Sequence, residues 1–261
     1  MIDNELHISP AYFIEDDRFT IEEIADSKLT IEISDSFFRF SIKNEHDKIV
    51  WLEDFSLAKA RNTADHVQSI IENHRFLSVR FWDKIQVLIH AKLKTFVPIH
   101  LENQSLADRY LQSLFGLPME STIQLSKRGS YLYHTNEEIL NFFKEFYPED
   151  KLILHLADSA LENEPAHMLT FHQEGASLFV HENHQNVFFV NDLKAVIEYI
   201  KNKDLSNVKL CGEITEYAKN YKVLENAGLK AELIKHAGDI RFSQYFQDCP
   251  FHRYYLLFRA S

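Results

Sequence analysis

Histidine is the side chain best suited to acid–base and metal chemistry near neutral pH. Four of the 14 histidines, His167, His172, His181 and His184, crowd into one short stretch of this chain. A metal site is the sharpest reading of them. His181-Glu182-Asn183-His184 lacks the HExxH spacing, however; it falls at a strand turn, and no cysteine accompanies it. Solvated turn histidines are the default, and no metal is expected. Asp35-Ser36 with His172 supplies the residue types of a nucleophile and its base, but no GxSxG elbow occurs anywhere in the sequence. Lys127-Arg128-Gly129 could touch an anion, although two basic residues in a hairpin turn read first as surface charge. No catalytic residue is assigned.

The elements that must position these residues repeat. Leu29 to Ile33 alternates apolar and polar residues, Phe38, Phe40 and Ile42 do so again after Asp35-Ser36, and Ile49 to Phe55 follows the polar Asn44–Asp47 turn. That is a β-meander. Val67, Ile70, Ile71 and His74 then take the i, i+3, i+4, i+7 spacing of a buried helix face, and Lys84 to His90 reads as a strand returning parallel to the first. His167 to Lys201 runs through the same order: strands at Met168–His172, Ala176–His181 and Asn186–Val190, a helix from about Asp192 to Lys201, and a buried strand at Val208–Cys211.

Between the two units lie an extended piece from Thr95 to Leu101 containing Pro98, a helix from Ser105 to Phe115 stopped by Gly116 and Pro118, and a hairpin of Thr122–Ser126 with Ser130–His134. A helix follows, whose start the Thr135/Glu138 pair marks as a capping box. Pro148 ends it, and Lys151 to Leu156 has the near-continuous apolar character of a strand buried on both faces. The polar run from Asp158 to Pro165 is the expected boundary, giving lobes 1–160 and 161–261. In the second lobe, Thr215 to Asn226 is predicted as a helix closed by Gly228, Leu229, Ala231 and Leu233 as a strand, and Phe251 to Phe258 as an aromatic tail that completes the core. Phe37 and either Tyr254 or Tyr255 are expected to be exposed, as interface anchors.

Composition narrows the classes. Lys plus Arg number 28 against 39 Asp plus Glu, a formal charge of -11. A phosphate backbone is repelled over most of such a surface, so no nucleic acid is expected as partner. No apolar run approaches the ~20 residues of a membrane span, and Met1 to Phe19 lacks the pattern of a signal peptide. A cytoplasmic protein without membrane insertion is expected. Cys211 and Cys249 lack CxxC spacing and read as reduced thiols.

The doubled ββαβ order, with Ile31-Glu32-Ile33-Ser34-Asp35-Ser36 and Val208-Lys209-Leu210-Cys211-Gly212, resembles the actin-like ATPase superfamily, the fold of sugar kinases, Hsp70 and actin. Over roughly residues 5 to 258, with positions such as Pro98, Asn191 and Gly212, the chain is similar to an uncharacterised bacterial family, a domain of unknown function assigned that fold. The resemblance implies an α/β fold of two duplicated RNase H-like lobes with mixed sheets around an interlobe cleft. It also implies where ATP would sit: against an Asp-x-Gly-Thr/Ser turn, an Asp-x-Gly-Gly turn and a Gly-Gly turn, whose glycines bring backbone N–H groups to the phosphates. Here Ser34 stands in place of the first Asp, with Asp35 one residue away, and Ser36 in place of the Gly. His172 replaces the second Asp and Glu174 a glycine, leaving Gly175; Cys211-Gly212 keeps one glycine of two. Glu174 and Glu213 add charge that would repel phosphate.

Three degraded turns point to a non-catalytic cytoplasmic adaptor or scaffold that acts on a protein partner or on itself, with no cofactor. The alternative is a nucleotide-binding protein or weak ATPase with an altered cleft. A divergent nuclease on the same frame would need convergent carboxylates for two metals, and no first-strand Asp is evident.

Overall fold

The structure is a computed structural model that describes residues 8–58, 60–98, 106–116, 122–126, 129–172, 175–182, 185–190, 192–236 and 238–261. After the short strand β1 (Tyr12–Glu15), the first meander forms as its alternation dictates, from β2 (Lys28–Ile33), β3 (Phe37–Lys43) and β4 (Lys48–Ser56). Helix α1 (Thr63–Asn73) starts on Asn62, whose side chain accepts from the Ala64 N–H, and buries Val67, Ile70 and Ile71. It carries the chain back to β5 (Lys84–Ile89), which pairs in parallel with β2.

A smaller sheet follows, made of β6 (Leu93–Pro98), β7 (Thr122–Ser126) and β8 (Gly129–His134), with helix α2 (Ala107–Phe115) preceding β7 and ending on Gly116 at φ +74°. The Lys127-Arg128 part of the hairpin turn, Pro118 and Asn191 lie outside the described residues. Helix α3 (Glu137–Phe146) is capped by Asn136, which accepts from the Glu138 N–H, and not by Thr135. An Asn carbonyl one residue closer to the helix reaches the same orphan donors that the threonine was expected to serve.

β9 (Leu152–Leu156) then closes the first sheet, whose order is β1-β4-β3-β2-β5-β9. It is an edge strand with Ile153 exposed, so its apolar run is not buried on both faces as the sequence suggested. Both faces are buried instead at β2, where Leu29, Ile31 and Ile33 lie on one face and Thr30 and Glu32 on the other.

The second sheet repeats the first. β10 (Met168–His172), β11 (Gly175–Val180) and β12 (Gln185–Val190) form an antiparallel meander, α4 (Leu193–Asn202) follows, and β13 (Val208–Gly212) pairs in parallel with β10 just as β5 does with β2. α5 (Lys219–Asn226) starts later than predicted because Ala218 is extended and Thr215–Ala218 is a turn. Gly228, at φ +76°, follows its end, and β14 (Ala231–Leu233) completes the sheet.

The C-terminal segment does not stay with the second sheet. β15 (Arg241–Phe242) pairs with β4, and α6 (Tyr255–Ala260) packs on β2, β3, β5 and β13. Tyr254 and Tyr255 are therefore buried, and so is Phe37 under the Arg39 guanidinium at 4.1 Å. None of the three is an exposed anchor. The large exposed apolar side chains are others, among them Phe13, Phe81, Leu125 and Tyr217. Both cysteines are buried free thiols, and among the described residues no helix is long and apolar enough to cross a membrane.

Candidate functional site

Parallel pairing within each sheet brings the β2–β3 turn and the β10–β11 end to opposite walls of one cleft, with the start of β6, the end of α2 and β12 closing it. Its volume is about 420 Å³. Ser34, Asp35, Ser36, His172 and Gly175 all line it, so the sequence-predicted residues of the first two turns do converge. Glu174 lies outside the described residues. Cys211 and Gly212 sit at the end of β13, behind β10, and do not line the cleft.

The first and third turns spend their described donors on the chain itself. Ser34 Oγ accepts from the N–H groups of Ser36 and Phe37, each at 3.1 Å, and lies 3.0 Å from Ser36 Oγ. A phosphate would need donors of this kind. Asp35 turns to Lys92 at 2.8 Å. At the third turn the Gly212 N–H donates to the His252 carbonyl at 2.8 Å. Gly212 has φ +84°, and a Cβ there would collide with the Phe171 carbonyl oxygen, so one glycine is retained for backbone packing. Cys211 Sγ is 3.2 Å from Thr170 Oγ1, and burial pushes its thiol up to about 12.

Beneath the cleft runs a chain of buried charge that the sequence reading missed. Arg39 makes a bidentate pair with Glu32, both bonds at 2.7 Å, and reaches Glu213 at 3.0 Å. Glu213 also faces Arg253 at 3.5 Å, so it is a paired carboxylate and not the free repelling charge expected. His90 Nε2 lies 2.6 Å from Glu32, and the His90 ring meets that of His172 edge-on at 4.8 Å. His172 Nε2 stands 3.0 Å from Ser177 Oγ and 3.6 Å from Asp158, which is itself paired with Lys94.

Burial pushes the Glu32 carboxyl up, but Arg39 and His90 outweigh it and hold the group at about 2. For Asp158, burial is likewise outweighed, by Lys94 and His172, which keep it well below the usual carboxylate range. His172 is pushed down to about 4 by burial and by the Lys94 charge, which makes it a neutral imidazole at pH 7. Its hydrogen-bond partner is Ser177, so the imagined pairing with Ser36 is not made. The remaining histidines serve the turn: His167 Nδ1 accepts from the His181 N–H at 3.2 Å, and His181 Nδ1 meets the Glu164 carbonyl at 2.8 Å. His184 lies outside the described residues. Among the described residues no three His, Cys, Asp or Glu side chains converge as a metal requires.

A signal for part of this network was present in the sequence. A hairpin turning at Asp35 pairs position 32 with 39, and both hold a charge inside an otherwise apolar strand. Lys94 and Asp158 gave no such sign, because no local pairing brings them together.

Two meander-helix-strand units with mixed sheets flanking a cleft define the actin-like ATPase fold. Among the solved structures that share it are the following two. A protein from Bacteroides thetaiotaomicron with an actin-like ATPase fold and unknown function is 14% identical, covers 83% of this chain and 93% of its own, and superposes with a TM-score of 0.69. The PilM-PilN type IV pilus biogenesis complex gives 11% identity, coverage of 88% and 96%, and a TM-score of 0.58. The chain belongs to the family described as Protein of unknown function (DUF3822), which it matches over residues 16–194. No curated protein matches it in sequence.

Proposed function

We propose that this protein is a non-catalytic cytoplasmic adaptor or scaffold, built from two lobes that divide near Asp158–Pro165 and working by binding another protein or itself. The observation that carries the reading is the commitment of the first and third turns to internal bonds: at the cleft, the Ser36 and Phe37 N–H groups to Ser34 Oγ, and behind it, the Gly212 N–H to His252. A nucleotide phosphate would have to displace them, and Lys92 and Lys94 already face carboxylates. The adaptor half of the reading is supported by PilM, a structural neighbour that stands in a complex with PilN; shared fold is an analogy for function, not its proof.

With Phe37, Tyr254 and Tyr255 buried, docking falls to a different surface. β1 is the outer strand of the first sheet, with Phe13 56% exposed on it. An outer strand bearing an exposed aromatic suits docking by a partner, beside the Gln244–Phe246 turn that contacts it. The test is cross-linking and co-purification from the native host with the wild type and a Phe13→Ala variant. Recovery of a partner, or of the self-associated chain, that the variant loses is the expected result; a monomer without partners that binds Mg-ATP would instead establish the nucleotide-binding alternative.

A further inference from the structure

One junction between the first and second sheets is apolar: Leu88 of β5 shares a buried cluster with Met168 of β10, Phe179 of β11 and Cys211 of β13. Another lies along the cleft, where β12 of the second sheet packs against β6 of the small sheet. The small sheet is tied to the first by Gln124, whose side chain accepts from the Leu156 N–H at the end of β9. Across from it, Phe188 of β12 packs against the apolar core of the first sheet. The Lys94 ammonium on β6 lies 4.9 Å from the centre of that ring.

The polar groups of this second junction are matched as closely as its apolar ones. Lys94 is paired with Asp158, in the Ala157–Leu161 turn after β9. Tyr131 Oη on β8 accepts from Asn186 Nδ2 on β12 at 2.7 Å, and the same Nδ2 faces the Asp158 carbonyl at 3.4 Å. All four side chains are buried, none more than 8% exposed. Asp158 is therefore held from both sides, its carboxylate by β6 and its carbonyl by β12.

Sheets that flank a cleft move against each other unless something fixes them. Parting β12 from β6 would pull Phe188 out of the first core and strand Tyr131 and Asn186 in one step. Whichever side Asp158 followed, it would lose either the Lys94 ammonium or the Asn186 amide. A buried charge left alone is the most expensive of these losses.

We propose that Lys94, Asp158, Tyr131, Asn186 and Phe188 form a latch that holds the cleft at a single width through the chain's own side chains. The latch goes beyond the adaptor reading and does not rest on it, since a fixed cleft suits a docking protein and a ligand-binding one alike.

Spin labels at Leu125→Cys on β7 and Tyr217→Cys after β13, both exposed positions, report the distance across the cleft by double electron–electron resonance; the native cysteines are buried. The wild-type background should give one narrow distance peak. Lys94→Met and, more mildly, Asn186→Ala should widen that peak and add a longer distance. A reference pair on the first-sheet side, Phe13→Cys with Phe81→Cys, should stay narrow in every background. Melting curves identify the folded variants, and one folded variant suffices. A broad wild-type distribution, an unchanged peak in a folded variant, or equal widening of the reference pair would overturn the proposal.

Discussion

Arg39 and Glu32 are the side chains whose removal tells most about this molecule. Both are fully buried, on the face of the first sheet that α6 covers. Truncating one partner leaves the other charge uncompensated, so Arg39→Ala should cost about 3 to 5 kcal/mol in urea unfolding. Replacing both together, as Glu32→Leu with Arg39→Met, should recover part of that loss, because a desolvated pair exchanged for apolar side chains of similar volume is close to neutral, while Glu213 and His90 each lose a partner. If the double variant is as unstable as the single one, the pair has a role beyond mutual neutralisation.

His172 makes a separate, pH-dependent prediction. Its folded value near 4 lies below its ordinary 6.5. Between those values the unfolded chain holds a proton that the native chain does not, so stability is full above pH 6.5 and falls as pH drops toward 4. The loss is about 3.5 kcal/mol at most, at about 1.4 per unit. Melting curves across this interval should flatten in His172→Gln; an unchanged slope would mean that another group titrates. Glu32, held near 2, adds its own loss further down, from about 4.5 toward 2.

Among the elements, the end of β13 is the least tolerant. Gly212 combines φ +84° with a backbone neighbour where a Cβ would stand. Gly212→Ala should therefore destabilise by at least about 1 to 3 kcal/mol, readable as a lower melting temperature. The strands and helices themselves were largely legible. Period-2 alternation located both meanders, and the 3.6 spacing of Val67, Ile70 and Ile71 located α1, because in these segments burial follows local pattern. The misreadings have a common cause. β9 reads as a central strand yet sits at an edge, and one of Tyr254 and Tyr255 reads as surface yet both are buried, because both outcomes depend on where a distant segment packs. The return of residues 241–260 to the first sheet leaves no local sequence signal. The cleft was legible to the extent that its turns could be named. Its charge network was not, apart from the cross-strand Glu32–Arg39 pair, since Lys94–Asp158 and His90–His172 form only in the assembled fold.

At the scale of the whole molecule, the actin-like frame keeps its two sheets and its cleft while the first and third of the turns that would serve a nucleotide bond to the chain itself. Docking through the β1 edge predicts that Phe13→Ala weakens partner association by about 2 kcal/mol and leaves stability nearly unchanged, as expected for an exposed side chain. The central claim, that this frame no longer works as a nucleotide machine, is tested most directly by thermal melting in millimolar Mg-ATP against Mg²⁺ alone. A ligand present at 100 times its dissociation constant stabilises the folded state by about 2.7 kcal/mol, a shift of several degrees for a domain of this size. The account predicts coincident curves, and a reproducible upward shift with Mg-ATP alone would contradict it.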